Sequence, residues 1–184
     1  MAKKPVDAPQ FVYVKVTLNY IKPPIWRRLR VPAAWHLGKL SDAILRGMGW
    51  LGGHLHAFEI DGRQYSEPAM VDDAENERKL TVGKLIAAGV SRFTYTYDFG
   101  DSWDHSLLIE AKPVPPGETT PGCVAGARAC PPEDCGGPPG YDGLLRALAA
   151  PDDPESREIL EFMEEDFDPE EFALEDADRR VKSV

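Results

Sequence analysis

Residues 11–20 alternate between apolar and polar side chains, and this alternation constrains the fold more than any other stretch of the sequence. A period of two residues is typical of a β-strand that buries one face. Residues 25–31 show a second strand-like pattern, separated from the first by Lys22-Pro23-Pro24. We therefore expect two strands, antiparallel to each other. The apolar positions of the first strand are Val12, Val14, Val16 and Leu18.

Other segments predict helices as well as strands. A helix is expected where apolar residues recur at helical spacing up to Met48, with Gly49 placed to end it. Thr81 can cap a short helix, and Asp61-Gly62 is a hairpin signal. Two further stretches read as strands, residues 93–99 and 107–111.

The last third of the chain combines an irregular stretch with helices. Residues 113–140 are dense in Pro and Gly, and we expect a long loop there. Asp153-Pro154 and Asp168-Pro169 are both signals for the start of a helix. The first of these two helices has its apolar side formed by Ile159, Leu160, Met163 and Phe167.

These patterns together predict one α+β domain, with an antiparallel or mixed β-sheet and packed helices. We expect a flexible N-terminus over residues 1–10 and the domain itself over residues 11–178. The domain ends in a helical acidic segment, residues 151–178, and a basic C-terminal tail follows over residues 179–184.

The net charge of −10 is concentrated in that acidic segment, which holds 14 acidic residues and a single basic one, Arg157. Residues 1–150 sum to zero, and residues 1–50 carry nine basic residues against two acidic ones. The overall balance argues against a protein that coats DNA, but a local basic face remains. No apolar run suits a membrane helix or a signal peptide, so we expect a cytoplasmic protein.

Three cysteines are candidate metal ligands. Cys123, Cys130 and Cys135 have the spacing C-x6-C-x4-C, and thiolates this close in sequence commonly bind zinc in a reducing compartment. His105 could complete a Cys3His site, with His54 or His56 as alternative ligands. Structural zinc would also order the long loop. The alternatives are three thiols that bind nothing, or a redox pair.

A second group of candidates lies between Tyr97 and His105. Asp98, Asp101, Asp104 and His105 could bind a divalent metal or perform general acid–base chemistry. The alternative is a turn whose carboxylates accept hydrogen bonds from backbone N–H groups. The first interpretation predicts convergence of the four side chains in a concave pocket, and the second predicts bonds to turn backbone.

A third candidate is the basic and aromatic strand around Trp26. In a strand, Arg28 and Arg30 share one face with Trp26, and Arg27 points the other way. Together with Lys22, this face could contact phosphates and stack a base, which would make a nucleic acid the partner. Alternatively, these cations pair within the molecule with the acidic C-terminal helices.

Four sequence blocks together resemble the plasmid pRiA4b ORF-3-like protein family, over roughly residues 11–175. The blocks are KPPIWRR at 22–28, GW at 49–50 with HLHAF at 54–58, YDFGDSWDH at 97–105, and CPPEDCGG at 130–137. The resemblance implies a single α+β domain, largely of uncharacterised function, whose members occur on plasmids and beside insertion sequences. Some members carry a recombinase- or resolvase-like label, but the basic catalytic cluster of a tyrosine recombinase is not recognisable here.

We therefore expect a cytoplasmic binding or accessory protein, with an unidentified protein or nucleic acid as partner and a role linked to plasmids or mobile elements. No phosphate-binding loop, nucleophile elbow or zinc-protease motif is present in the sequence. The alternatives are a metal-dependent hydrolase or nuclease-like enzyme that uses the Asp98–His105 group, and a nucleic-acid-binding module that uses the basic face.

Overall fold

The chain is seen in a computed structural model that describes residues 10–68, 70–161 and 167–184. An eight-stranded sheet carries five helices in these residues. The strands are β1 Phe11–Leu18, β2 Trp26–Pro32, β3 His56–Ile60, β4 Arg63–Ser66, β5 Glu75–Asn76, β6 Arg92–Tyr97, β7 Trp103–Ile109 and β8 Gly122–Ala127. The helices are α1 Leu37–Met48, α2 Val82–Ala87, α3 Gly137–Ala149, α4 Pro154–Glu161 and α5 Leu174–Lys182.

The sheet is mixed, and its strand order is β5-β4-β3-β6-β7-β1-β2-β8. All neighbouring strands are antiparallel except β4 and β5, which are parallel. The predicted α+β class, with one domain and packed helices, is therefore confirmed. No helix in the described ranges is long and apolar enough to span a membrane.

The alternation in β1 places its apolar residues in the core, as predicted. Val14 and Val16 are fully buried in the same core as Leu37 and Leu40 of helix α1. Helix α1 ends at Gly49, whose φ of 109° lies in the left-handed region and whose N–H donates to the Leu45 carbonyl. Burial of this apolar helix face holds α1 against the sheet.

Four segments that connect strands and helices lie at one end of the sheet. The register pairs His56 with Tyr97, Tyr97 with Trp103, Leu18 with His105, and Thr17 with Trp26, so these strand ends lie side by side. We call this region the loop end and define it as residues 19–25, 49–55, 98–102 and 128–136. Each of the four blocks quoted above supplies part of it.

The stretch 113–140 is more ordered than the predicted loop. Strand β8 lies within it and pairs with β2, with a register shift between Arg28 and Leu29. Its sequence, GCVAGA, lacks the run of large β-branched residues that marks a strand. Pairing with β2 therefore orders this segment, and the expectation of an irregular loop was wrong for residues 122–127 and for residues 137–140, which begin α3.

The C-terminal segment also differs in part from expectation. Asp168-Pro169 does not begin a helix; its carboxylate accepts a hydrogen bond from the Glu170 N–H in a turn, and α5 begins only at Leu174. Helix α5 runs to Lys182, so residues 179–182 belong to it, and Val181 is fully buried. The predicted apolar position Met163 lies outside the described residues, as do residues 1–9 of the N-terminal segment that the sequence predicts to be flexible.

Candidate functional site

Asp98 directly follows β6, and its two carboxylate oxygens have different neighbours. Its φ is 55°, in the left-handed region, which Asp tolerates better than most residues. Oδ1 accepts a hydrogen bond of 2.9 Å from the Gly100 N–H and so holds the turn. Oδ2 lies 3.6 Å from Nδ1 of His54. One oxygen thus anchors the backbone, and the other faces an imidazole.

His54 brings a second carboxylate into the same place. Its Nε2 lies 3.2 Å from Oδ1 of Asp134. One ligand atom each from His54, Asp98 and Asp134 lie within 4.8 Å of one another. This is the one group of three or more potential metal ligands that residues 10–68, 70–161 and 167–184 form. Imidazole and carboxylates are common ligands of divalent transition metals.

The three side chains come from three different loops, and each belongs to a different sequence block. His54 follows α1, Asp98 follows β6, and Asp134 precedes α3. Their side chains are 35%, 13% and 75% exposed, so the group opens to solvent on the Asp134 side.

Glu133 connects the same three loops through hydrogen bonds. Its Oε1 accepts a hydrogen bond of 2.6 Å from the Tyr97 hydroxyl, and its Oε2 accepts one of 2.9 Å from the Leu51 N–H. The Tyr97 oxygen in turn accepts from the Gly53 N–H at 3.1 Å. Hydrogen bonds to an ionised carboxylate are stronger than neutral ones, so this network holds the loops in place.

The ionisation of this network follows from its hydrogen bonds. Burial acts to raise the pKa of Glu133, but the bonds from Tyr97 and from the Leu51 N–H outweigh it, so the pKa lies below its usual value. Burial, together with the bond to Glu133, raises the pKa of Tyr97 to about 12. Glu133 is therefore ionised and Tyr97 neutral at physiological pH.

Trp50 is a buried aromatic residue of the loop end. Its indole N–H donates a hydrogen bond of 2.9 Å to the Pro131 carbonyl. Its ring packs on Tyr97 and Trp103 at centroid distances of 5.2 and 5.7 Å. It also meets the His105 ring edge-on at 5.5 Å. Trp50 and Trp103, which belong to separate blocks, therefore share one aromatic cluster.

The predicted acid–base group does not converge. Asp101 accepts a hydrogen bond from the Gly136 N–H, and Asp104 accepts one of 2.6 Å from the Thr96 hydroxyl on the sheet surface. His105 is fully buried, and burial lowers its pKa to about 4, so it stays neutral. Asp98 alone reaches the metal-ligand group. The alternative, carboxylates that bond to turn backbone, describes Asp98, whereas Asp101 bonds to the backbone of the loop before α3.

The three cysteines and His105 are likewise not brought together. No set of three potential metal ligands within 4.8 Å includes Cys123, Cys130 or Cys135 in the part of the chain described. Burial raises the pKa of each of these thiols, to about 11 for Cys135. Zinc binds the thiolate, so a neutral buried thiol is the poorer ligand. His56, the other alternative ligand, instead lies 2.8 Å from Glu77.

The basic face is paired within the molecule. Arg28 makes hydrogen bonds of 2.8 to 3.0 Å to both oxygens of Glu110, and Arg30 pairs with Glu118. Lys15 and Arg28 lie over the Trp26 ring at 4.9 and 5.4 Å. In the described ranges, the acidic partners of Arg28 and Arg30 therefore come from the region after β7, whereas the alternative had placed them in residues 151–178. Lys22 is exposed in the loop end.

Sequence reasoning missed three residues that organise the site. The sequence distinguishes Glu133 and Asp134 only as members of the block at 130–137, and Tyr97 only as part of the block at 97–105 and of the strand predicted over residues 93–99. The available signal was the block itself, because two acids between Pro132 and Cys135 have no helix or strand to explain them. Their partners lie 36 to 82 positions away, which no local pattern reveals.

The chain is similar to a known family, to a bacterial protein and to a solved structure. The model of the family described as plasmid pRiA4b ORF-3-like protein matches residues 10–176. An uncharacterized protein of Sinorhizobium fredii, y4hQ, is 34% identical over 154 residues, which cover 82% of this chain and 79% of that protein. A crystal structure of the protein of unknown function MM3350 from Methanosarcina mazei superposes with a TM-score of 0.82 at 34% identity, covering 90% of this chain and 96% of that one.

Proposed function

The chain belongs to the plasmid pRiA4b ORF-3-like protein family, and on that premise we propose that it is a binding or accessory protein whose loop end holds a divalent metal ion. The ligands would be His54, Asp98 and Asp134. The observation that carries this proposal is their origin: each comes from a different loop and block, yet their ligand atoms lie within 4.8 Å.

The chemistry of the donor set favours zinc among the divalent metals. Imidazole nitrogen and carboxylate oxygen are both regular zinc ligands, whereas calcium and magnesium prefer oxygen ligands alone. Asp98 is already oriented, because its Oδ1 is bonded to the Gly100 N–H. Such bonding of a ligand's second oxygen orients the first toward the metal. The proposed zinc ligands are therefore His54, Asp98 and Asp134 and not the cysteines.

A metal held by three protein ligands keeps positions free for a partner. Here those positions face solvent on the side of Asp134, which is 75% exposed. Leu51 and Phe99, in the same loops, are 84% and 43% exposed, and Leu55 is 40% exposed. A partner that supplies one ligand to the metal could bury these apolar side chains at the same time.

Binding is better supported than hydrolysis because the other predicted acid–base residues do not reach the three ligands, and Glu133, beside Asp134, already accepts hydrogen bonds from Tyr97 and from the Leu51 N–H. Asp101 and Asp104 are bonded to the Gly136 N–H and the Thr96 hydroxyl, and His105 is buried in the core. A hydrolase needs a base within hydrogen-bond reach of the attacking water. The link to plasmids or mobile elements and the cytoplasmic location belong to the same proposal and rest on the family and on the charge and hydropathy of the sequence.

The test is titration of metal-free protein with zinc by calorimetry. We expect one site per chain in the wild type, lost in His54→Ala and weakened in Asp98→Asn. Asp104→Asn is the matched control, because it removes a carboxylate of the same block that faces Thr96, and it should bind zinc as the wild type does. Wild-type protein that binds no zinc, or binding that Asp104→Asn also abolishes, would refute the proposal.

The same zinc-loaded protein separates the enzyme alternative from the binding one. Turnover of an activated phosphodiester that depends on zinc and is lost in His54→Ala would identify a hydrolase instead. Absence of turnover together with stoichiometric zinc supports the binding protein.

A further inference from the structure

A cleft lies between the C-terminal segment and the body of the protein, on the helix-covered side of the sheet. Its volume is about 240 Å3. Arg27 of β2, Met48 of α1 and Cys130 line it on the body side, and Phe167, Phe172 and Arg180 line it on the C-terminal side. None of these residues belongs to the metal-ligand group described above.

Arg27 is unusual among the residues that line this cleft, because it is a cation and is almost completely buried. It is 3% exposed. Its Nε donates to the Gly47 carbonyl at 2.9 Å, and its Nη1 donates to the carbonyls of Trp26 and Ala127, also at 2.9 Å. A buried charge normally pairs with an opposite charge, since carbonyl oxygens alone leave it uncompensated.

No carboxylate within the described ranges lies within 4.0 Å of the Arg27 guanidinium. An Arg side chain has five N–H groups, and in the same residues those of Nη2 have no acceptor. The plane of the guanidinium lies against the Phe172 ring, with 4.2 Å from its carbon to the ring centroid. The cation is therefore fixed in position while part of its hydrogen-bonding capacity is unused.

We propose that this cleft binds a small monocarboxylate, whose carboxylate accepts hydrogen bonds from Nη2 of Arg27 and whose apolar body lies between Phe167 and Phe172. Arg guanidinium and carboxylate are matched in geometry and charge. Arg180, which also lines the cleft and donates to the Arg46 carbonyl, adds a second positive charge.

The carboxylates of the lining disfavour a ligand with two negative charges. Asp168, Glu171 and Asp176 also line the cleft. Asp168 is bonded to the Glu170 N–H, and Asp176 pairs with Arg179 at 2.9 Å. These three carboxylates repel a dianion such as phosphate more strongly than a monocarboxylate. An apolar wall of two Phe rings and Met48 favours an organic acid of about the size of benzoate.

The test is a titration of the full-length protein with benzoate, followed by two-dimensional NMR of the backbone and Arg side-chain N–H groups. We expect saturable shifts at residues that line the cleft, and none at the metal-ligand group of His54, Asp98 and Asp134. Inorganic phosphate and benzamide are the comparison probes. Equal shifts with benzamide would show that charge is not recognised, and stronger binding of phosphate would show a phosphate site; either result overturns the proposal.

Two variants test whether benzoate binds in this cleft. Arg27→Met should abolish benzoate binding, but it also removes three hydrogen bonds from the core and could unfold the protein. Ala173→Phe avoids that difficulty, because Ala173 is an exposed residue that lines the cleft, and a larger side chain there fills it. We expect benzoate to bind at least about tenfold more weakly, which is 1.4 kcal/mol.

Gly143→Ala is the matched control, since the added methyl group meets no atom within 4 Å. Its benzoate affinity should equal that of the wild type. Wild-type protein without saturable shifts, or unchanged affinity in Ala173→Phe, overturns the proposal. The zinc titration of the loop end is independent of this result.

Discussion

The hydroxyl of Tyr97 donates a 2.6 Å hydrogen bond to Oε1 of Glu133, and this contact joins the end of β6 to the loop before α3. The other oxygen of Glu133 accepts from the Leu51 N–H. Three segments that are distant in sequence are therefore tied through one carboxylate.

Glu133→Gln keeps the shape of the side chain but removes its charge. We expect the free energy of unfolding to fall by about 1–3 kcal/mol, because a charge-assisted hydrogen bond is lost and the Leu51 N–H keeps only a neutral partner. Urea denaturation measures this change. Asp134→Asn, at the exposed neighbouring position, should change stability by less than about 0.5 kcal/mol. Equal effects of the two substitutions would contradict the assignment of Glu133.

Metal content should not depend on the cysteines. Cys130→Ser protein, purified from zinc-sufficient medium, should retain the zinc stoichiometry of the wild type, because no cysteine belongs to the group of potential ligands that the described chain forms. His54→Ala protein should lose the zinc. Elemental analysis of the three proteins decides the matter. Loss of zinc in Cys130→Ser alone would restore the cysteine site and exclude the histidine one.

Stability should fall as the pH is lowered below about 6.5, and His105 is the reason. Burial lowers its pKa from 6.5 to about 4 in the folded protein. Between these values the unfolded chain binds a proton that the folded protein does not, so the free energy of unfolding decreases by up to about 3 kcal/mol as the pH falls.

His105→Gln should flatten this dependence between about pH 6.5 and 5, whatever its effect on stability at neutral pH. Urea denaturation across this range gives the slope. Glu133, whose pKa is lowered, contributes stability that is lost only below about its ordinary pKa of 4.5, outside the window. An unchanged slope in His105→Gln would show that another group accounts for the dependence.

Two glycines of α3 should respond in opposite ways to replacement by Ala. A Cβ at Gly140 would lie 1.8 Å from the Cys135 carbonyl oxygen, which is backbone and cannot move aside cheaply. Gly140→Ala should therefore destabilise the protein by about 1–3 kcal/mol. Gly143→Ala meets no atom within 4 Å and should stabilise the helix by up to about 1 kcal/mol. Thermal denaturation distinguishes the two.

Nucleic-acid binding through the face around Trp26 should be weak in the wild type and stronger once its cations are released. Arg28 is held by both oxygens of Glu110, and Arg30 by Glu118. We expect no retardation of a short DNA duplex at low salt by the wild type, and salt-dependent retardation by the double variant Glu110→Gln/Glu118→Gln. Strong retardation by the wild type would show that the internal pairs do not compete with phosphate.

Local patterns predicted most of the elements and little of the site. The hairpin at Asp61-Gly62 and the short helix capped by Thr81 depend on residues within a few positions of each other, and both form as expected. Strand β8 was missed because its small residues give no signal of their own and it is ordered by pairing with Arg28 and Leu29 of β2. Asp168-Pro169 was misread because the same turn chemistry caps a turn as readily as a helix.

What the sequence alone determined was the alternation of β1, the apolar face and glycine end of α1, and the four blocks that identify the family. These are properties of neighbouring residues, and backbone geometry converts them directly into local structure. Only the tertiary structure decided that His54, Asp98 and Asp134 meet while Asp101, Asp104 and His105 do not. That outcome depends on which strand ends lie side by side, and strand order is set by burial and pairing across the whole chain.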